Sequence, residues 1–147
     1  MAKIYIVLLF CYSSYQEIFG QCPTTSTVSV GYTSVTVTPP GYPSPGYDIN
    51  LNCSWLGSSS ISGASILYRV TDITTDCPDD AINVYNGVDN TGTHVHINEC
   101  NTAGSGSRKL GYKVSSTGHV YTTFTSDASQ SSSELGFKMY MISGKDF

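Results

Sequence analysis

The sequence predicts an all-β domain, a sandwich or barrel of short antiparallel strands. Runs rich in Val, Ile, Tyr, Thr and Phe alternate apolar with polar residues, and Gly, Ser, Pro and Asn separate them. No stretch of ten or more residues carries helical spacing, and no unit of 20–50 residues repeats.

Residues 1–20 are set apart from this pattern. Lys3, an apolar run from Ile4 to Cys11 and a polar stretch ending in small residues form the layout of a secretory signal peptide. The run is far short of the ~20 residues that cross a bilayer as a helix. Cleavage after Gly20 makes Gln21 the new N-terminus, and Ser13 and Ser14 offer alternative sites. The remaining residues, 21–147, suit a single domain. The expected product is a secreted, extracellular protein without a membrane span.

Four cysteines then remain, Cys22, Cys53, Cys77 and Cys100. An even set in an oxidising compartment predicts two disulfides, in any of three pairings. Zinc is a weak rival, because no C-x-x-C pair occurs. Pairing of consecutive cysteines would contribute roughly 3–4 kcal/mol per bridge in the chain-entropy view.

The strands follow in order. Ile66, Tyr68 and Val70 share one face of ASILYRVT, with Arg69 on the other. Ile82 and Val84 alternate with Asn83 and Tyr85 in INVYNG. HVHIN is expected to point Val95 and Ile97 inward and His94 and His96 outward. Val120, Thr122 and Phe124 go together in HVYTTFTSD, as do Phe137, Met139 and Met141 in GFKMYM. One buried and one wet face per strand is the pattern of antiparallel sheets packed face to face. Breakers fall between the runs, at Pro39–Pro40–Gly41, Pro45–Gly46, Asn86–Gly87, Gly104 to Gly106 and Thr117–Gly118. Trp55 and many of the eleven tyrosines are expected as core and sheet-face residues.

Charge narrows the function. With a formal net charge of −4 and no Lys/Arg-rich patch, nucleic acid and acidic membrane surfaces are unsuitable partners. No G-x-S-x-G elbow, H-E-x-x-H helix or P-loop is present, so the chain is expected not to be an enzyme. His94 and His96 lack an identifiable third metal ligand and are expected to face solvent. Asn52–Cys53–Ser54 is an N-glycosylation sequon whose middle residue is an expected disulfide cysteine.

The acidic residues carry more. Asp72 precedes Cys77 by five, Asp80 follows it by three, and Asp127 ends the HVYTTFTSD strand. If these meet at one end of the sandwich, they supply oxygen ligands for calcium, which takes six to eight. Otherwise they are solvated loop carboxylates.

VTPPGYPSPGYDINLNCSW resembles the S-P-G-Y-P…Y…C-x-W segment of CUB domains. CPDDAINVYNG is similar to their C-x-x-D-x-[ILV]-x-[IV]-[YR]-[DN]-G strand, and FTSDASQSSSELGFKMY to their F-x-S-D-x-S…G-F-x-x-Y ending. The resemblance runs from about Cys22 to Met141, with all three motifs in order. It implies a jelly-roll-like sandwich of two antiparallel sheets and the pairs Cys22–Cys53 and Cys77–Cys100. It also implies a non-catalytic extracellular binding module.

Many CUB domains bind calcium through a glutamate and two aspartates, positions held here by Asp72, Asp80 and Asp127, with Asp79 a solvated neighbour. Ser129 and Gln130 occupy the positions of a backbone carbonyl and an asparagine that complete such sites. Asp72 is one methylene shorter than the usual glutamate, and Gln130, Pro23 and Asn101 also depart from the family pattern. The resemblance further implies that a basic side chain of a protein partner docks on the calcium-site loops. The expected function is thus calcium-supported recognition of an extracellular protein or glycan. The alternatives are a non-catalytic part of a larger secreted protease and a structural matrix or secretion component without a calcium site.

Overall fold

The computed structural model describes residues 22, 25–101, 106–129 and 133–147. The expected signal segment, Gln21, Pro23, the turn at Gly104 and Gln130 lie outside the described residues. The strands are β1 (Ser26–Val30), β2 (Val35–Val37), β3 (Asn52–Ser59), β4 (Ser65–Thr74), β5 (Ala81–Asn86), β6 (Thr93–Glu99), β7 (Lys113–Ser115), β8 (His119–Thr125) and β9 (Gly136–Gly144).

They form two sheets, β1-β3-β8-β5-β6 and β2-β9-β4-β7. All neighbours are antiparallel except β1, which runs parallel to β3. The fold is an all-β sandwich, as the alternating runs predict. Cys22 is bonded to Cys53 and Cys77 to Cys100.

The core lies between the sheets and is built from the alternating positions. Ile66, Tyr68 and Val70 of β4 meet Phe137, Met139 and Met141 of β9, and Val84, Val120 and Phe124 close the layer from the other sheet. All are buried. Burial of a large apolar side chain contributes about 1.5–3 kcal/mol relative to exposure, so this layer is the main support of the fold. Phe124 stands edge-on to both Tyr47 and Phe137, at 5.0 and 5.5 Å between centroids. Such pairs add about 0.5–1.5 kcal/mol beyond burial. Trp55, 5.8 Å from Phe137, is also core.

β6 departs from the simple alternation. His96 lies opposite Val84 and His94 opposite Tyr85, which leaves Val95 as an extra residue in the ladder. A second shift lies between Ile82 and Val84, where Asn98 takes φ 48° and donates its N–H to Asn83 Oδ1 at 2.9 Å. Each bulge exchanges the faces that follow it. His96 therefore turns inward, with its side chain only 10% exposed, and Ile97 turns to solvent at 56%. The outward His96 and inward Ile97 of simple alternation are corrected accordingly.

Candidate functional site at one end of the sandwich

The loop before β3 carries Tyr47. Its approach is tight: Gly46 N–H bonds the Gly41 carbonyl at 3.2 Å, and Gly41 has φ 83°. A Cβ at Gly41 would collide with the Gly46 carbonyl, so only glycine closes this turn. Tyr47 is thereby driven into the core, ring against Phe124, with its hydroxyl aimed at the turn before β5.

That turn presents Asp80. Its N–H bonds the Asp76 carbonyl at 3.0 Å, and its carboxylate is fully buried. Oδ2 accepts the Tyr47 hydroxyl, and Oδ1 accepts the Asp127 N–H at 2.8 Å. Asp127 follows β8. Its carbonyl accepts the Asn50 N–H at 2.6 Å, and its Oδ1 accepts the Ser129 N–H at 2.6 Å and hydroxyl at 2.8 Å. Next to it, Ser126 Oγ accepts the Leu51 N–H and donates to the Asp48 carbonyl. Loops from three parts of the chain are thus tied to one buried carboxylate.

Burial pushes the Asp80 carboxyl above the usual carboxylate range, and the charges of Asp127 and Glu134 add to the shift, against the two hydrogen bonds. Burial and the bond to Asp80 likewise push the Tyr47 hydroxyl far above the usual tyrosine range. Among the described residues neither Asp80 nor Asp127 is ion-paired to a basic side chain.

Asp72 is placed differently. It sits at a register shift between Thr71 and Thr74, with φ 56°. Its carboxylate accepts the hydroxyls of Tyr42 at 3.4 Å and of Thr71 and Ser107, both at 3.3 Å. No group of three His, Cys, Asp or Glu is gathered as a metal cluster among the described residues. Asp80 and Asp127, adjoining all-oxygen donors without a basic counter-charge, fit a hard cation such as calcium in donor type. Asp72 shares no hydrogen bond with either of them among the described residues.

Two contributors escaped the sequence reading. Tyr47 is there one of the tyrosines expected in the core, and Glu134, buried before β9, is not singled out. Their signal is proximity, which spacing does not carry. Asp79 is exposed, as is Asn52 at the start of β3, while Ser54 of the sequon is buried and bonded to Thr25 at 2.8 Å. His94 and His96 occupy opposite faces. His94 stands edge-on to Tyr85 at 4.4 Å between centroids, and His96 Nδ1 meets Glu99 at 3.4 Å. They form no common site.

The fold is that of a CUB domain. Similar solved structures are the CUB1-EGF-CUB2 region of human MASP-1/3 (TM-score 0.62, 18% identity), the MASP-1 CUB2 domain bound to Ca2+ (0.57, 20%) and the extracellular region of zebrafish Gpr126/Adgrg6 (0.55, 17%). They cover 84%, 80% and 82% of this chain, which spans 43%, 98% and 15% of theirs. No protein-family model matches the sequence, and none of the curated proteins matches it. No helix of the described residues is long and apolar enough to cross a membrane.

Proposed function

We propose that the chain is a secreted, non-enzymatic binding module whose Asp80–Asp127 end takes calcium and recognises an extracellular protein or glycan there. The observation that carries this reading is the buried Asp80 carboxylate, bonded to the Asp127 N–H at 2.8 Å and to Tyr47, beside Asp127 and without a basic partner among the described residues. The Ca2+-bound MASP-1 CUB2 domain among the similar structures supports it. A bound calcium ion would offset the repulsion between the two carboxylates and fix their orientation.

The chain's own residues do the rest. Tyr47 and the Asp127 N–H hold Asp80 in one geometry, and Ser129 holds one oxygen of Asp127. Carboxylates held in this way are pre-organised acceptors for a basic side chain of a partner, because less freedom is lost on binding. Ser129 and Gln130 belong to the proposed ligand set. Asp72 joins it only by exchanging its bonds to Tyr42 and Ser107 for the cation. Asn52, exposed on β3, is the proposed glycan acceptor.

Calorimetric titration of the oxidised chain tests this. Binding in the ~0.1–1 mM range typical of extracellular modules is expected, with a rise in Tm at saturating calcium. Asp127→Asn, whose side chain is half-exposed, should abolish both while leaving the fold intact. Neither heat nor a Tm shift at ~10 mM calcium, well above that range, returns the carboxylates to a purely structural role.

A further inference from the structure

The outer face of the four-stranded sheet has a different chemistry from the acidic end. Leu67 lies beside Ile142 and Arg69 beside Tyr140 in the β4–β9 register, and their neighbours Ile66, Tyr68 and Val70 point into the core. Together with Tyr112 these four side chains line an open cavity of about 430 Å3, within the usual small-ligand range of about 300–1,000 Å3. Tyr112 is 66% and Tyr140 39% exposed, more than the core role of the other tyrosines requires.

The cations here are held against rings. Arg69 Nε donates to the Leu110 carbonyl at 2.9 Å, which sets the guanidinium carbon 4.9 Å from the Tyr112 centroid. Lys138 Nζ stands 5.6 Å from both the Tyr42 and the Tyr140 centroids. Asp72, bonded to Tyr42, offsets one of these charges, so the face keeps an excess positive charge on a chain of net −4.

We propose that this face binds an acidic saccharide, with Tyr112 and Tyr140 stacking against sugar rings and Arg69 and Lys138 receiving a carboxylate or sulfate. The C–H groups of a pyranose pack on an aromatic face, and tyrosine supplies that face with little loss of side-chain freedom. Arg69 adds a planar donor fork suited to a two-oxygen anion. An extended acidic peptide is the poorer fit. β4 is bonded to β9 on one side and β7 on the other, so the face offers no free ladder for strand addition. The site is separate from Asp80 and Asp127 and independent of their calcium binding.

The test is calorimetric binding of a sulfated glycosaminoglycan hexasaccharide, and of its desulfated counterpart, to the full oxidised chain. The sulfated probe should bind in a salt-dependent manner, and desulfation, Lys138→Gln and Arg69→Gln should each weaken it about tenfold, the scale of one lost charge-assisted bond. Tyr140→Ala should weaken both probes, and Asp127→Asn should leave them unchanged. Trp55 fluorescence checks that each variant is folded. The proposal is overturned by absence of binding to the sulfated probe, or by binding indifferent to Arg69 and Lys138. Concentration-dependent self-association lost in Arg69→Gln would also overturn it, in favour of a second copy on this face.

Discussion

Tyr47→Phe isolates the hydrogen bond on which the acidic end depends. Phenylalanine keeps the fully buried ring and its 5.0 Å edge contact with Phe124, so packing is unchanged and only the hydroxyl is removed. That hydroxyl is the donor to Asp80 Oδ2 and the acceptor of the Asp76 N–H at 3.4 Å. Its loss leaves a buried carboxylate with the Asp127 N–H on one oxygen and no proton donor of Tyr47 on the other. A bond to a charged group contributes about 1.5–3 kcal/mol, and leaving one partner buried costs its desolvation. The long Asp76 contact adds little. The expected destabilisation is about 2 kcal/mol, close to 6–10 °C in Tm for a domain of this length. Trp55 is the sole tryptophan and is buried against Phe137, so urea unfolding followed by its fluorescence reads the core directly. Tyr32→Phe, at a residue 72% exposed, is the control and should be neutral. A Tyr47→Phe loss below about 0.5 kcal/mol, the scale of ordinary surface substitutions, would refute the inference that this bond anchors Asp80.

Three other outcomes are expected. Removing the Cys77–Cys100 bridge, which spans 23 residues of sequence, in a Cys77→Ala, Cys100→Ala double variant should cost about 3 kcal/mol by chain entropy, read from the urea midpoint. His96 is held below its ordinary pKa by burial, so the unfolded chain takes up its proton first on acidification. Stability therefore falls as pH drops below about 6.5, and a His96→Gln variant should show a flatter dependence between pH 7 and 5.5. Gly136 has φ 104°, and a Cβ there would lie 2.6 Å from Pro39 Cγ and 3.3 Å from Tyr47 Cδ1. Gly136→Ala should cost roughly 1–3 kcal/mol from strain and overpacking, and weaken calcium binding by displacing Tyr47, measured by urea unfolding and calorimetry.

The central strands were legible because a period of two is a local property. Ile66, Tyr68 and Val70 declare the buried face of β4 without reference to any partner, and Phe137, Met139 and Met141 do so for β9. β1 was not legible, since STVSV is short, weakly apolar and paired in parallel to a strand some thirty residues on. β6 misled, because the bulges at Val95 and at Ile97–Asn98 depend on how β5 meets it. At the site, the motifs singled out Asp80 and Asp127, whose backbones sit at strand ends. The spacing of Asp72 from Cys77 could not reveal the left-handed turn at Asp72 or the Tyr42 hydroxyl that its carboxylate accepts. Nor could it bring the Tyr47 hydroxyl to Asp80, since that contact is made by the fold.

The position of β9 orders events during synthesis. It lies between β2 and β4, pairing Val37 with Met139 and Val70 with Met139 on its two sides. Until residues 136–144 have left the ribosome, β2 has no partner and β4 presents an open, apolar edge to its surroundings. The first of the two sheets can assemble through β3, β8 and β5 while the second waits. Long-range pairings of this kind close slowly and expose aggregation-prone strands in the interval. A nascent chain of this protein is consequently most dependent on chaperones until residues 136–144 emerge, and a ribosome stalled before Gly136 holds half a sandwich.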